Sequence, residues 1–193
     1  MTAELLAAAR AGDAEATRRL VASAAELDWA GDDGETALMC AARLGNLDVV
    51  NTLIAAGANV NATDANGWTA LFKAAYNPEL DAGFAPIVKA LIDAGAEVDA
   101  RIHFGLTPLM LAAGGGEGAV CEVLLEAGAD PKAVNEVGRT ALTMAKERHW
   151  VDVINLLHEA TGYNPETEGA CSTGGRKGPS DEKVVSFMKR PMH

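Results

Sequence analysis

Gly34-Glu35-Thr36-Ala37-Leu38 is the stretch on which the fold turns, because the chain writes it three more times. The copies are Gly67-Trp68-Thr69-Ala70-Leu71, Gly105-Leu106-Thr107-Pro108-Leu109 and Gly138-Arg139-Thr140-Ala141-Leu142. From Thr36 to Thr69 is 33 residues, from Thr69 to Thr107 is 38, and from Thr107 to Thr140 is 33. A second phrase keeps the same phase: Ala56-Gly57-Ala58, Ala94-Gly95-Ala96 and Ala127-Gly128-Ala129 each precede a new unit. Self-similarity at such a period means stacked supersecondary units, none of which can bury its apolar face alone.

Each residue type has a local reason. Thr36, Thr69, Thr107 and Thr140 are placed to accept from an orphan N–H at the start of a helix. Pro108 fits the first helical position, where the missing N–H costs nothing. A second helix follows in each unit, with Val49, Val50, Leu53 and Ile54 in one, and Ile87, Val88, Leu91 and Ile92 in the next. Val120, Val123, Leu124 and Leu125, then Val153, Ile154, Leu156 and Leu157, continue that apolar stripe at near-helical spacing. Gly57, Gly95 and Gly128 suit the left-handed residue that closes such a helix, and Gly162 stops the last one.

The Gly-x-Thr-Pro/Ala-Leu opening resembles the ankyrin repeat. So do the pairs Ala41-Ala42, Ala74-Ala75 and Ala112-Ala113, and the Leu-Ile or Leu-Leu that precedes Gly-Ala. The resemblance implies an all-α repeat solenoid, with helix-turn-helix units joined by β-hairpin loops. The expected units are 1–30, 31–63, 64–101, 102–134 and 135–162. The first lacks both phrases but keeps Leu5, Leu6, Leu20, Val21 and Leu27, as an end repeat facing water would. The family often has His after the Leu of the opening phrase; here Met39, Phe72, Met110 and Thr143 stand there, so packing is expected to hold the hairpins. The third unit carries five extra residues, which the register puts between its helices around Pro78–Pro86.

Composition narrows the function classes. No run approaches the roughly 20 apolar residues of a membrane span, and Met1-Thr2-Ala3-Glu4 has none of the features of a secretion signal. Cys40, Cys121 and Cys171 are odd in number and lack zinc-ligand spacing. The expectation is a reducing compartment, cytoplasmic or else nuclear. Net charge is −11; residues beyond Gly162 contribute +1, leaving −12 on the repeats. That field repels nucleic acid and anionic lipid. His103, His149, His158 and His193 show no metal-ligand spacing, and Gly114-Gly115-Gly116-Glu117-Gly118 lacks the Lys and Ser/Thr of a P-loop. By register these glycines form a flexible turn between two helices. No catalytic residue, cofactor or metal site is expected.

Folds of this family mostly bind other proteins, so the resemblance implies an adaptor, scaffold or inhibitor. Its binding surface would be a concave face made by the hairpin tips and the ends of the inner helices. Aromatic residues are sparse at 5%, yet Trp68, Tyr76 and Phe104 fall on this face in adjacent units, a composition typical of binding hot spots. The candidate protein-binding set is Trp68, Tyr76, His103, Phe104, Leu106, Arg43, Leu44, Arg139 and Arg148. Its arginines would read acidic groups, and Asp32, Asp33 and Glu35 would attract basic ones. The expected partner of this monomer is a basic or apolar protein segment.

Two alternatives come from other features. Asn61, eight residues after Leu53, resembles the hairpin asparagine modified by asparaginyl hydroxylases in ankyrin proteins, and it is equally a turn former. The 163–193 tail reads as a linker over Thr167–Ser180 and a short basic-apolar helix over 181–190, chemically suited to the stack's own groove or to a partner.

Overall fold

The computed structural model of the chain describes residues 2–23 and 26–162. The expected linker and helix beyond Gly162 lie outside the described residues.

Ten α-helices pair off in chain order among the described residues. They are α1 (Thr2–Ala11) and α2 (Ala14–Ala22), α3 (Ala37–Arg43) and α4 (Leu47–Ala55), and α5 (Ala70–Ala75) and α6 (Ala85–Asp93). Then come α7 (Pro108–Gly115) and α8 (Gly118–Glu126), and α9 (Ala141–Arg148) and α10 (Val151–Thr161). One pair falls in each of the five expected units. The odd-numbered helices pack in one row, each against its odd neighbours, and the even-numbered helices form a second row behind them. This is the all-α repeat solenoid.

The alanine pairs of α3, α5 and α7 have no exposed surface, which lets the inner helices approach closely. Met39, Phe72 and Met110, which replace the family histidine, are likewise buried. Val49, Val50 and Leu53 on α4, Ile87, Val88 and Leu91 on α6, and their counterparts on α8 and α10 complete the core. Gly95 shows why the second phrase is needed. It follows the end of α6 with φ +93°, a conformation in which a side chain would strain the backbone.

Thr36, Thr107 and Thr140 cap their helices as expected, accepting from Met39, Met110 and Thr143 N–H at 3.2 to 3.3 Å. Thr69 does not: its side chain makes no capping bond. Its helix α5 is also the shortest, with Tyr76 already extended, because Pro78 disfavours helix at Asn77 before it.

The four hairpin tips close identically. The first residue's N–H donates to the carbonyl four residues on, and the glycine N–H donates back, as in Asp64 to Trp68 and Gly67 to Asp64, both 2.9 Å. At two tips the side chain of that first residue reinforces this turn: Asp64 accepts from Asn66 and Trp68, and Asn135 accepts from Val137 and Arg139. The third tip has the apolar Ile102 at that place, and here Phe104 takes φ +63° next to Gly105 at +70°. Only this tip carries a bulky residue in the left-handed region.

Candidate functional site

Repeat register sorts the surface into rows. The residue after each tip glycine is Glu35, Trp68, Leu106 and Arg139; the inner-helix ends are Arg43, Tyr76, Gly114 and Glu147. Between these rows lies Lys73, in a position filled elsewhere by Cys40, Leu111 and Met144.

Lys73 organises the first depression. Its Nζ lies 2.8 Å from Asp64 Oδ2 and 3.4 Å from Glu35 Oε1. Glu35 also meets Arg43 Nε at 3.0 Å and Arg10 Nη2 at 3.8 Å, and Arg43 Nη1 reaches Glu79 at 3.1 Å. Burial alone would raise the Asp64 carboxyl, but the Lys73 ammonium and the N–H groups of Trp68 and Asn66 hold it below the usual range. The hydrogen bond to Glu35 raises the Arg43 guanidinium against the opposing effect of burial.

This corrects one expectation. Glu35 is only 3% exposed, so it serves as the internal counter-ion of cations on three helices, Arg10, Arg43 and Lys73, and is not available to attract a basic partner. Arg43 and Arg139 are likewise engaged within the chain, Arg139 with Glu147 at 3.3 Å. Arg148 forms no ion pair among the described residues.

The five extra residues build a wall. Asn77 and Ala82 pair their backbones, Asn77 Nδ2 donates to Arg43 O at 2.7 Å, and Asn77 Oδ1 accepts from Glu79 N at 2.9 Å. The Tyr76 hydroxyl donates to Asp81 at 2.8 Å, which raises its pKa. Gly83 sits so close to Ala75 O and Val120 that a Cβ would collide with both. The loop is thus seated on the stack, and it closes a pocket of about 270 Å³ between Trp68, Tyr76, Pro78 and Glu79, with Arg43 and Lys73 at its base. Trp68 stands half-buried, edge to face on Phe72 at 6.0 Å.

A second depression adjoins the first through Tyr76. It is floored by Leu111 and Met144 and rimmed by Arg139, Glu147 and Arg148. The glycine run does cross the turn between α7 and α8, at Gly116 and Glu117, and it also lines this cavity: Gly114 and Gly115 are the last turn of α7, and only Gly116 is left-handed. Gly115 is where the Tyr76 ring lies, and Gly116 is where the Trp150 ring lies. Trp150, which sequence reasoning did not single out, donates its indole N–H to Gly114 O at 3.2 Å.

The expected aromatic row divides. Trp68 and Tyr76 share the first pocket, whereas Phe104, 70% exposed, lies with His103 in a third depression that also includes Arg101 and Glu136. The reason is register: Phe104 corresponds to Asn66 at the tip, not to Trp68. Asn66 is common to both depressions. Leu44 is half-buried at the end of α3, and Leu106 is half-buried against the core; neither lines these depressions.

Asn61 is committed to the stack. Its amide donates to Gly95 O at 3.0 Å, and its carbonyl accepts from Glu97 N at 3.0 Å. Asp28 and Asp99 take the same place in their units and accept from Asn59 and Asp130 N–H. Among the described residues no cluster of His, Cys, Asp and Glu is arranged to hold a metal ion, and no helix is long and apolar enough to cross a membrane.

The family profile described as Ankyrin repeats (3 copies) matches residues 5–102 and 81–169. The chain belongs to the ankyrin-repeat family. It is 40% identical over 89 residues to zebrafish (Danio rerio) Ankyrin repeat and SAM domain-containing protein 6, covering 45% of this chain and 12% of that protein. It is 36% identical over 77 residues to mouse Protein phosphatase 1 regulatory subunit 12A, covering 40% of this chain and 7% of the relative. It is 35% identical over 97 residues to mouse Ankyrin repeat domain-containing protein 63, covering 47% and 25%. The ankyrin-repeat chain therefore spans a quarter or less of these relatives' length.

Proposed function

We propose that this ankyrin-repeat protein is a non-catalytic adaptor, scaffold or inhibitor that recognises a segment of another protein on its hairpin and inner-helix face. The observation that carries this reading is the pair of adjoining depressions sharing Tyr76, with exposed aromatic surface beside them at Phe104. Aromatic side chains in desolvatable pockets supply large contact area at low entropic cost, and truncating a hot spot costs about 2 kcal/mol or more. One relative's name, a phosphatase regulatory subunit, fits the same kind of role. The net charge of −12 on the repeats favours a basic or apolar segment over nucleic acid or anionic lipid. The reading includes a monomer located in the cytoplasm or nucleus, supported by the buried unpaired thiols Cys40 and Cys121.

The hydroxylase reading of Asn61 is not carried forward, because both ends of its amide already serve the stack. The test is affinity capture with the full chain, followed by the Trp68→Ala, Phe104→Ala double variant. A captured partner should be lost by the variant with circular dichroism and melting temperature little changed. Undiminished capture by the folded variant would reject the reading.

A further inference from the structure

The two adjoining depressions differ in chemistry, and the difference specifies a ligand. The first has aromatic and proline walls, from Trp68, Tyr76 and Pro78. Its base is already neutral, since Lys73 and Arg43 are matched by Asp64 and Glu35. What faces outward is acidic. Glu79 is exposed and takes Arg43 on one oxygen only, and Asp81, exposed on the same loop, accepts from the Tyr76 hydroxyl. Aromatic faces next to exposed carboxylates that each keep one oxygen free suit the aliphatic stem and charged head of Lys or Arg.

The second depression is apolar at its floor and is open because Gly114 has no side chain where the other units carry Arg43, Tyr76 and Glu147. Nothing in the backbone requires glycine there. Gly114 is helical, not left-handed, and an added Cβ would meet only the end of the Met144 side chain at 3.2 Å, which can move aside. Glycine is a poor helix former, so the residue weakens α7 and in return leaves the Leu111–Met144 floor uncovered.

Resting on the binding function proposed above, we infer that the groove takes an extended partner segment with two fixed features. A Lys or Arg enters between Trp68 and Tyr76 toward Glu79, and a large apolar side chain enters the Gly114 notch. Neighbouring inner helices lie about 10 Å apart, and an extended chain advances about 3.3 Å per residue. The basic and apolar residues are therefore roughly three positions apart.

The probe is a random dodecapeptide library displayed on phage, panned on the full chain. The expected selectants carry Lys or Arg with a large apolar residue about three positions away. Panning on Gly114→Leu should lose the apolar preference while keeping the basic one. Panning on Glu79→Lys, Asp81→Lys, both on an exposed loop, should lose the basic preference while keeping the apolar one. Failure of Gly114→Leu to fold leaves the decision to the loop variant. Selectants without the paired pattern, or acidic selectants, overturn the inference, as does an unchanged pattern on the loop variant. If such selectants still lose affinity for the Trp68→Ala, Phe104→Ala variant, the general binding function survives alone. Selectants indifferent to that variant, or a library yielding none, overturn both.

Discussion

Replacing Lys73 by Met removes the one cation that bridges Glu35 and Asp64, and the cost can be worked from the geometry. Both carboxylates are nearly inaccessible, with side chains 4% and 5% exposed. Removing one partner of a buried pair typically costs about 3–5 kcal/mol, because the remaining charge is left without compensation. Glu35 retains Arg43, and Asp64 retains the N–H groups of Asn66 and Trp68, so the lower end applies, about 3 kcal/mol. For a chain of this size, that lowers Tm by roughly 6–12 °C. Adding Asp64→Asn keeps the Oδ1 acceptor for the two N–H groups and removes the stranded charge. The double variant should recover about 2 kcal/mol of the loss, a coupling characteristic of direct contact. Urea unfolding followed by far-UV circular dichroism measures all the states of the cycle. Salt should change the coupling little, since a buried pair is poorly screened. If Lys73→Met costs under about 0.5 kcal/mol, or the double variant is simply the sum of the singles, the network is solvated and does not hold the Trp68 hairpin.

Three further outcomes are expected. Asp64 has a depressed folded pKa, so its stabilisation is present above the unfolded value of about 3.9 and is lost as pH falls through the folded value. Acid titration of stability should therefore be shallower in Asp64→Asn below about pH 4; an identical slope would contradict the assignment. Gly95→Val should destabilise by at least about 1 kcal/mol, from strain alone because no atom lies near the new Cβ; unchanged thermal stability would reject the register. Phe104→Gly relieves a left-handed conformation that costs a bulky residue about 1–2 kcal/mol, while removing little buried surface. Its Tm should be equal or higher while partner affinity falls, and a lower Tm in a scanning calorimeter would mean the ring is structural.

The helix pairs and their stops were legible because they follow from short-range backbone rules. A threonine three residues before a helical N–H, or a glycine two past a helix end, acts within one turn and reads the same wherever the unit lies. Trp68, Tyr76 and Phe104 were visible because large aromatics are few and the register numbers their positions. What the sequence by itself could not settle is what lies across from each of them. Glu35 reads as a surface acid until Arg43 and Lys73, the latter from the next unit, bury it. Lys73 gave a faint sign, a cation where other units are apolar or sulfur-bearing, but its two carboxylates are 38 and 9 positions away and converge only in the stack. The Pro78–Pro86 insertion became a pocket wall only through Asn77 reaching the Arg43 carbonyl. The glycine run, a turn by composition, also became part of an opening because Tyr76 from the preceding unit and Met144 and Trp150 from the following one surround it. Local stereochemistry determined the units; the packing of one unit on another decided which charges are buried, which rings face solvent and where the face is left open.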